Sequence, residues 1–310
     1  MIRYILKRIL QVVPLLLVIS FIVFTLIHLA PYDAIDAQIT SNMSQEEINI
    51  LREQSGLNKP FLIQYVDWLG QILSGNFGHS LVTHNSVGEE ILAKIPNTIS
   101  LVLPAYITAL IIAIVLGLLA AANKGKWQDK FIDAVASLGI ATPSFWIAMI
   151  FIYVLGYQLN LFPIIGMHTI GKEDDFGDFL SHFIMPYLTL TIVFFAELTR
   201  YVRSSALSQT NEEYVVVQQA FQATKTQIFT RHIIKNVLIP VITQVGMSLP
   251  MLVTGAIITE TVFSWPGIGP YITQATRALD YPIIMAVMLL SATLVIVGNL
   301  ISDILYSIVD

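Results

Sequence analysis

Residues 213–269 begin EYVVVQQAFQATKTQIFTRHIIKN (213–236), continue through a nearly uncharged run to Val262, and close on ETVFSWPGIG (260–269). The first part is polar and helix-prone, and it carries Lys225, Arg231, His232 and Lys235 shortly before Pro240. A basic loop running straight into an apolar span marks the cytoplasmic side of a membrane. The stretch therefore predicts a cytoplasmic handle on a membrane-embedded body.

Composition extends this reading to the whole chain. With 55% hydrophobic and 12% charged residues among 310, there is too little charged surface to solvate a globule of this size. The fold class expected is an all-α polytopic membrane protein, a single integral domain over 1–310. The net charge of −5 and the lack of a basic tract argue against nucleic-acid partners. Cysteine is absent, so thiolate metal sites, disulfides and cysteine nucleophiles are excluded.

A hydrocarbon core of about 30 Å takes about 20 mostly apolar residues per helix. Six spans are expected near 9–30, 98–122, 131–157, 183–203, 237–262 and 281–306. The N-terminus has the basic start of a secretory signal, but its apolar run from Ile9 to Ala30 is too long and no small-x-small site follows, so it reads as a retained first span. Arg3, Lys7 and Arg8, then Lys124, Lys126 and Lys130, then Arg200, Arg203, Lys225, Arg231 and Lys235 fall on one side, the cytoplasm, with both termini inside. The opposite loop, 31–97, is acidic, with Asp33, Asp36, Glu46, Glu47 and Glu89 among its carboxylates.

That external loop is expected to hold short helices. Ser44 and Glu47 have capping-box spacing, which predicts a helix starting there and ending near Gly56. After Pro60, Phe61, Tyr65, Trp68, Leu69 and Ile72 share one helical face, suited to the membrane interface or to an external docking platform.

The chain has no G-x-x-x-x-G-K-[ST] phosphate loop, no H-E-x-x-H and no G-x-S-x-G. An enzyme is not expected, nor a cofactor or bound metal; transport energy would come from another subunit or from a gradient. Asp133, Glu197, Arg200, Glu260 and Asp303 lie in or near spans, where charge is costly. Glu197 and Arg200 stand three apart and are expected to pair. Glu260 is the translocation-path candidate; a proton relay would need partner acids, and a capping or interhelical hydrogen-bond role suits it better.

Several motifs, in order, resemble the dipeptide, oligopeptide and nickel permeases of binding-protein-dependent ABC importers. They are MIRYILKRILQVVPLLLVISFIVFTLIHLAP (1–31), with Tyr32 where the family has glycine and Asp33 keeping its acid, GLNKPFLIQYVDWLGQILSGNFGHS (56–80), IPNTISL (95–101), TPSFWIA (142–148), LFPIIG (161–166), ETVFSWPGIG, DYPIIMAVMLL (280–290) and NLISDILYSIVD (299–310). The resemblance implies a type I importer permease with about six transmembrane helices, transporting peptides or a small solute such as a nickel complex by alternating access. It implies as partners a homologous second permease in a heterodimer, two cytoplasmic ATP-binding subunits, an extracytoplasmic substrate-binding protein and membrane lipid.

It also makes 204–236 the coupling loop, with Glu213, Val217, Ala220, Phe221, Gln222 and Lys225 as its docking residues. Helical spacing of Val216, Val217, Ala220, Phe221 and Thr224 predicts an apolar stripe on a helix over 213–225, with Phe221 as anchor. Gln222 occupies the position where the family has a turn glycine, which predicts two more continuous helices or a turn shifted to a neighbour. Gln218 likewise stands where a small residue is usual. The competing reading is a secondary transporter or channel without ATPases, which explains the spans but not the amphipathic loop.

Overall fold

The computed structural model describes residues 2–29, 43–54, 56, 58–254 and 256–309, which leaves Pro31, Tyr32, Asp33 and Asp36 outside the described residues. Helices α1 (Ile2–His28), α2 (Gln45–Gln54), α3 (Phe61–Leu73) and α4 (Val87–Ala122) come first. They are followed by α5 (Trp127–Ala141), α6 (Ser144–Phe151, extended by wider π-helical turns to Gln158) and α7 (Phe176–Gln209). After these come α8 (Glu213–Ala220), α9 (Lys225–Ile228), α10 (Ile234–Thr254), α11 (Ile257–Val262), α12 (Ile268–Ala278) and α13 (Tyr281–Val309).

Among the described residues α1, α4, α7 and α13 are long and apolar enough to cross a membrane, and α5 with α6 would make a fifth span. Two of the six expected spans are therefore not straight single helices. The third, 131–157, bends by 94° between α5 and α6. Pro143 explains the break, because its ring drives the preceding residue out of the helical region; Thr142 is extended, with φ −92 and ψ 119. The fifth, 237–262, is divided: α10 ends at Thr254 and α11 is a separate short helix. The second begins earlier than expected, at Val87, with Glu89 and Glu90 in its first turn favouring the positive helix end.

Parallel α4 and α7 form the most extensive helix pair, with Tyr106 against Phe194 and Gly117 against Val202, and α10 packs along α13. Without a hydrophobic force between helices in lipid, close approach of backbones at small residues holds such pairs together. A β-carbon at Gly117 of α4 would lie 2.7 Å from Val202 of α7, and one at Gly139 of α5 would lie 2.6 Å from Ala196 of α7. Glu197 and Arg200 are both exposed and form no ion pair among the described residues. Sharing a helix face did not suffice; the ion pair near this level joins Arg203 of α7 to Asp129 of α5 at 2.6 Å.

Ser44 and Glu47 form the expected capping box: the Ser44 N–H donates to the Glu47 carboxylate at 2.7 Å, and the Glu47 N–H donates to the Ser44 hydroxyl at 3.3 Å. That first bond holds the Glu47 carboxyl below its ordinary range. The aromatic face of α3 packs on α1, with the Phe24 ring centre 5.4 Å from that of Trp68 and 5.5 Å from that of Phe61, both pairs tilted. The Tyr65 and Ser20 hydroxyls bond across the same contact at 2.9 Å.

Candidate functional site

At 34 residues, α7 is about 50 Å long, and the two groups of residues singled out by sequence lie at its opposite ends. At the Gln209 end the chain turns and enters α8. The Tyr214 hydroxyl donates to Gln209 at 3.0 Å, and Val215, only 4% exposed, packs among Ala121, Val202, Ala206, Ile233 and Val237. These contacts fix one face of α8 to the body. The opposite side carries Glu213, Val216, Val217, Ala220 and Phe221, all exposed, with Val216 at 63% and Phe221 at 80%. An apolar pair at i, i+4, Val217 and Phe221, thus stands outside the helix bundle without cover.

The helix expected over 213–225 stops at Ala220. Gln222 adopts φ +60, the left-handed conformation. Its N–H donates to Gln219 at 2.9 Å and the Ala223 N–H donates to Gln218 at 3.0 Å, the paired bonds of a Schellman ending. Gln222 therefore keeps the glycine turn at the glycine position, correcting the expectation of a continuous or displaced one. Two backbone carbonyls gain partners there, which offsets the steric cost of about 1–2 kcal/mol that a side chain meets in this region. Gln222→Gly is expected to keep the turn and slow amide exchange at 222 and 223. Gln222→Val, β-branched and poorly tolerated at positive φ, is expected to speed it by about tenfold.

A second signal was present in the sequence and missed. Thr224 and Gln227 form a capping box: the Thr224 N–H donates to the Gln227 side chain at 2.9 Å, and the Gln227 N–H donates to the Thr224 hydroxyl at 3.3 Å. The T-x-x-Q spacing starts α9 at Lys225 and separates it from α8. Thr224 thus serves the next helix rather than the stripe.

At the other end of α7, Glu260 is fully buried in α11. Its carboxylate accepts from the Gly269 N–H at 2.7 Å, so it caps the first turn of α12, and its backbone carbonyl accepts from Trp265 at 2.8 Å. Two residues of α4 hold the same loop. Thr98 accepts from the Ile268 N–H at 2.9 Å, while Asn97 accepts from the Trp265 indole at 2.8 Å and donates to the Pro266 carbonyl at 3.0 Å. Gly267 lies against the Glu260 carboxylate and the Thr98 hydroxyl, closer than any β-carbon would allow. Ser80 and Asp280 add a buried hydrogen bond of 2.5 Å on the same side of the bundle.

Toward the Gln209 end, α7, α10 and α13 border an open cleft of about 570 Å³ lined by Tyr201, Gln209, Asn236, Thr243, Ser302 and Asp303. Its polar lining is unusual for apolar helices. Of these residues only Asp303 stood out in the sequence, because uncharged polar residues spread over three helices converge only after folding.

Long apolar helices packed at glycines define a multi-pass membrane protein, and beyond their ends α8 exposes the apolar side chains of Val216, Val217 and Phe221. Residues 113–310 match the family described as "Binding-protein-dependent transport system inner membrane component", and residues 1–102 match its N-terminal counterpart. The chain is 38% identical over 311 residues to the oligopeptide transport system permease protein AppB of Bacillus subtilis, covering all of this chain and 98% of the relative. It is 33% identical over 328 residues to the dipeptide transport system permease protein DppB of Alkalihalophilus pseudofirmus and 31% identical over 310 residues to the glutathione transport system permease protein GsiC of Salmonella typhimurium, again with 100% of this chain and 98% of each relative covered. The chain belongs to the family of binding-protein-dependent inner membrane transport components, as its motifs had indicated. It is a transport permease, multi-pass in the inner membrane, and its family works with a substrate-binding protein and an ATPase.

Proposed function

We propose that this chain forms one half of the translocation pathway of an ATP-driven importer for peptides or a related small solute. A homologous but distinct permease forms the other half. Two ATP-binding subunits dock on the α8 side, and an extracytoplasmic binding protein delivers solute at the α12 side. The observation that carries this reading is the apolar surface of Val216, Val217 and Phe221, held outside the bundle by a helix whose other face is anchored at Val215. A helix so placed needs a groove in a partner to cover it. The full-length family match and the oligopeptide, dipeptide and glutathione permeases among its relatives support the solute class.

In this reading Asn236, Thr243 and Ser302 give the pathway its polar wall. Glu260, the translocation-path candidate, acts as a positioning residue that holds the loop at the outer mouth. Glu213, Ala220, Gln222 and Lys225 frame the docking surface around Val217 and Phe221. Both termini lie in the cytoplasm, a placement that the charge bias of the basic loops supports.

Reconstitution with the partner subunits tests this function: ATP-dependent uptake of a peptide is expected only when the binding protein is present. Uptake driven by an ion gradient without the ATPases would overturn it. Single-cysteine labelling gives the orientation, because the chain has no background thiol. A cysteine at position 89 is expected to react in intact cells with a membrane-impermeant maleimide, and one at position 124 is not.

A further inference from the structure

Beside the Glu260 clasp, α12 and the start of α4 border a cleft of about 340 Å³. Lys94 and Arg277 both line it, none of its lining residues is acidic, and neither cation forms an ion pair among the described residues. The helix macrodipole gives Arg277 a reason to sit in the last turn of α12. It gives none for Lys94, which comes from α4 and lies with its amine 5.1 Å from the centre of the Tyr271 ring. That contact holds the ammonium in place over an aromatic face and limits its freedom to follow solvent. Neutral hydrogen-bonding groups complete the wall at Thr261, Ser264 and Gln274. Ser264 is held at φ +50, a conformation that costs energy for a residue with a side chain and that recurs at ligand-binding positions.

We infer that this cleft is a subsite for a carboxylate of the transported solute. The guanidinium of Arg277 has the planar fork that matches a carboxylate, and the ammonium of Lys94 supplies a second, fixed positive charge. The volume falls at the lower end of those that hold small ligands, enough for the terminal residue of a peptide but not for a whole chain. The inference rests on the importer reading for the identity of the solute, and it deepens that reading by naming the group recognised: a free carboxylate, not a peptide backbone in general.

The test uses the membrane complex in nanodiscs, without ATP and without the soluble binding protein, and measures binding of tetra-alanine and of its C-terminal amide. The wild type is expected to bind the acid at least about tenfold more tightly than the amide. Lys94→Met, which keeps the aliphatic stem, and Arg277→Gln are each expected to abolish that preference while leaving the thermal midpoint unchanged. Equal binding of acid and amide by the wild type, or a preference that survives both substitutions, would overturn the subsite. Uptake is measured separately with the binding protein and ATP. A complex that prefers the acid but shows no ATP-dependent uptake refutes the importer and retains the subsite, so the two failures are distinct.

Discussion

Replacing Phe221 with Asp is expected to release the ATPase subunits from the complex or to uncouple ATP hydrolysis from transport, with the membrane helices still folded. Phe221 is 80% exposed at the C-terminal end of α8, so the substitution removes no packing from the bundle. A buried aromatic side chain at an interface typically contributes about 2–4 kcal/mol, which corresponds to a loss of roughly 30- to 1,000-fold in affinity. The aspartate adds the desolvation of a charge in the same groove. Pull-down of the ATPase by the solubilised permease, together with transport per ATP hydrolysed, reads both outcomes. A variant that retains the ATPase and transports at the wild-type rate would show that α8 is not the coupling element. Val215→Asp should behave differently: Val215 is buried against α4, α7 and α10, and its loss is expected to lower the thermal midpoint as well.

Gly267→Ala is expected to destabilise the loop between α11 and α12 by about 2–4 kcal/mol, because the added methyl has no room beside two buried oxygen-bearing side chains. Its β-carbon would meet the Glu260 carboxyl carbon at 2.8 Å, in a place where neither Glu260 nor Thr98 has solvent to move into. Glu260→Ala tests the same clasp from the other side by leaving the Gly269 N–H without its acceptor, at about 1–3 kcal/mol. Glu260→Gln keeps an oxygen of the same shape and is expected to retain most of the stability. Thermal unfolding of the purified protein checks all three. A Gly267→Ala protein with an unchanged midpoint would mean that the loop is looser than this packing implies.

Hydropathy made α1, α4, α7 and α13 legible, because a span must carry its apolar residues in one uninterrupted run. The same criterion concealed the break before Pro143: the apolar residues continue on both sides of it, and hydropathy has no term for backbone angle. It hid the division after Thr254 for the same reason. The exposed apolar stripe of Val217 and Phe221 on α8 was legible, yet the turn after it was misread at Gln222. Glycine is favoured there but not obligatory when two carbonyls of the preceding helix need donors. Glu260 could be recognised as a costly buried charge. Its Gly269 partner lies only nine residues away, whereas the neighbouring Thr98 lies 170 residues from Ile268, a separation that no local pattern spans.

The clasp also constrains how the protein is made. Its partners on α4 leave the ribosome about 170 residues before the loop they hold, and Ser80 precedes Asp280 by 200. During synthesis at about 5–20 residues per second, Asn97 and Thr98 therefore wait on the order of ten seconds for their partners. Both α4 and α7 are complete before Trp265 is synthesised, so the clasp is the later of the two to find its partners. A nascent chain stalled before Trp265 would already be anchored in the bilayer while its far side remained open to proteases and chaperones.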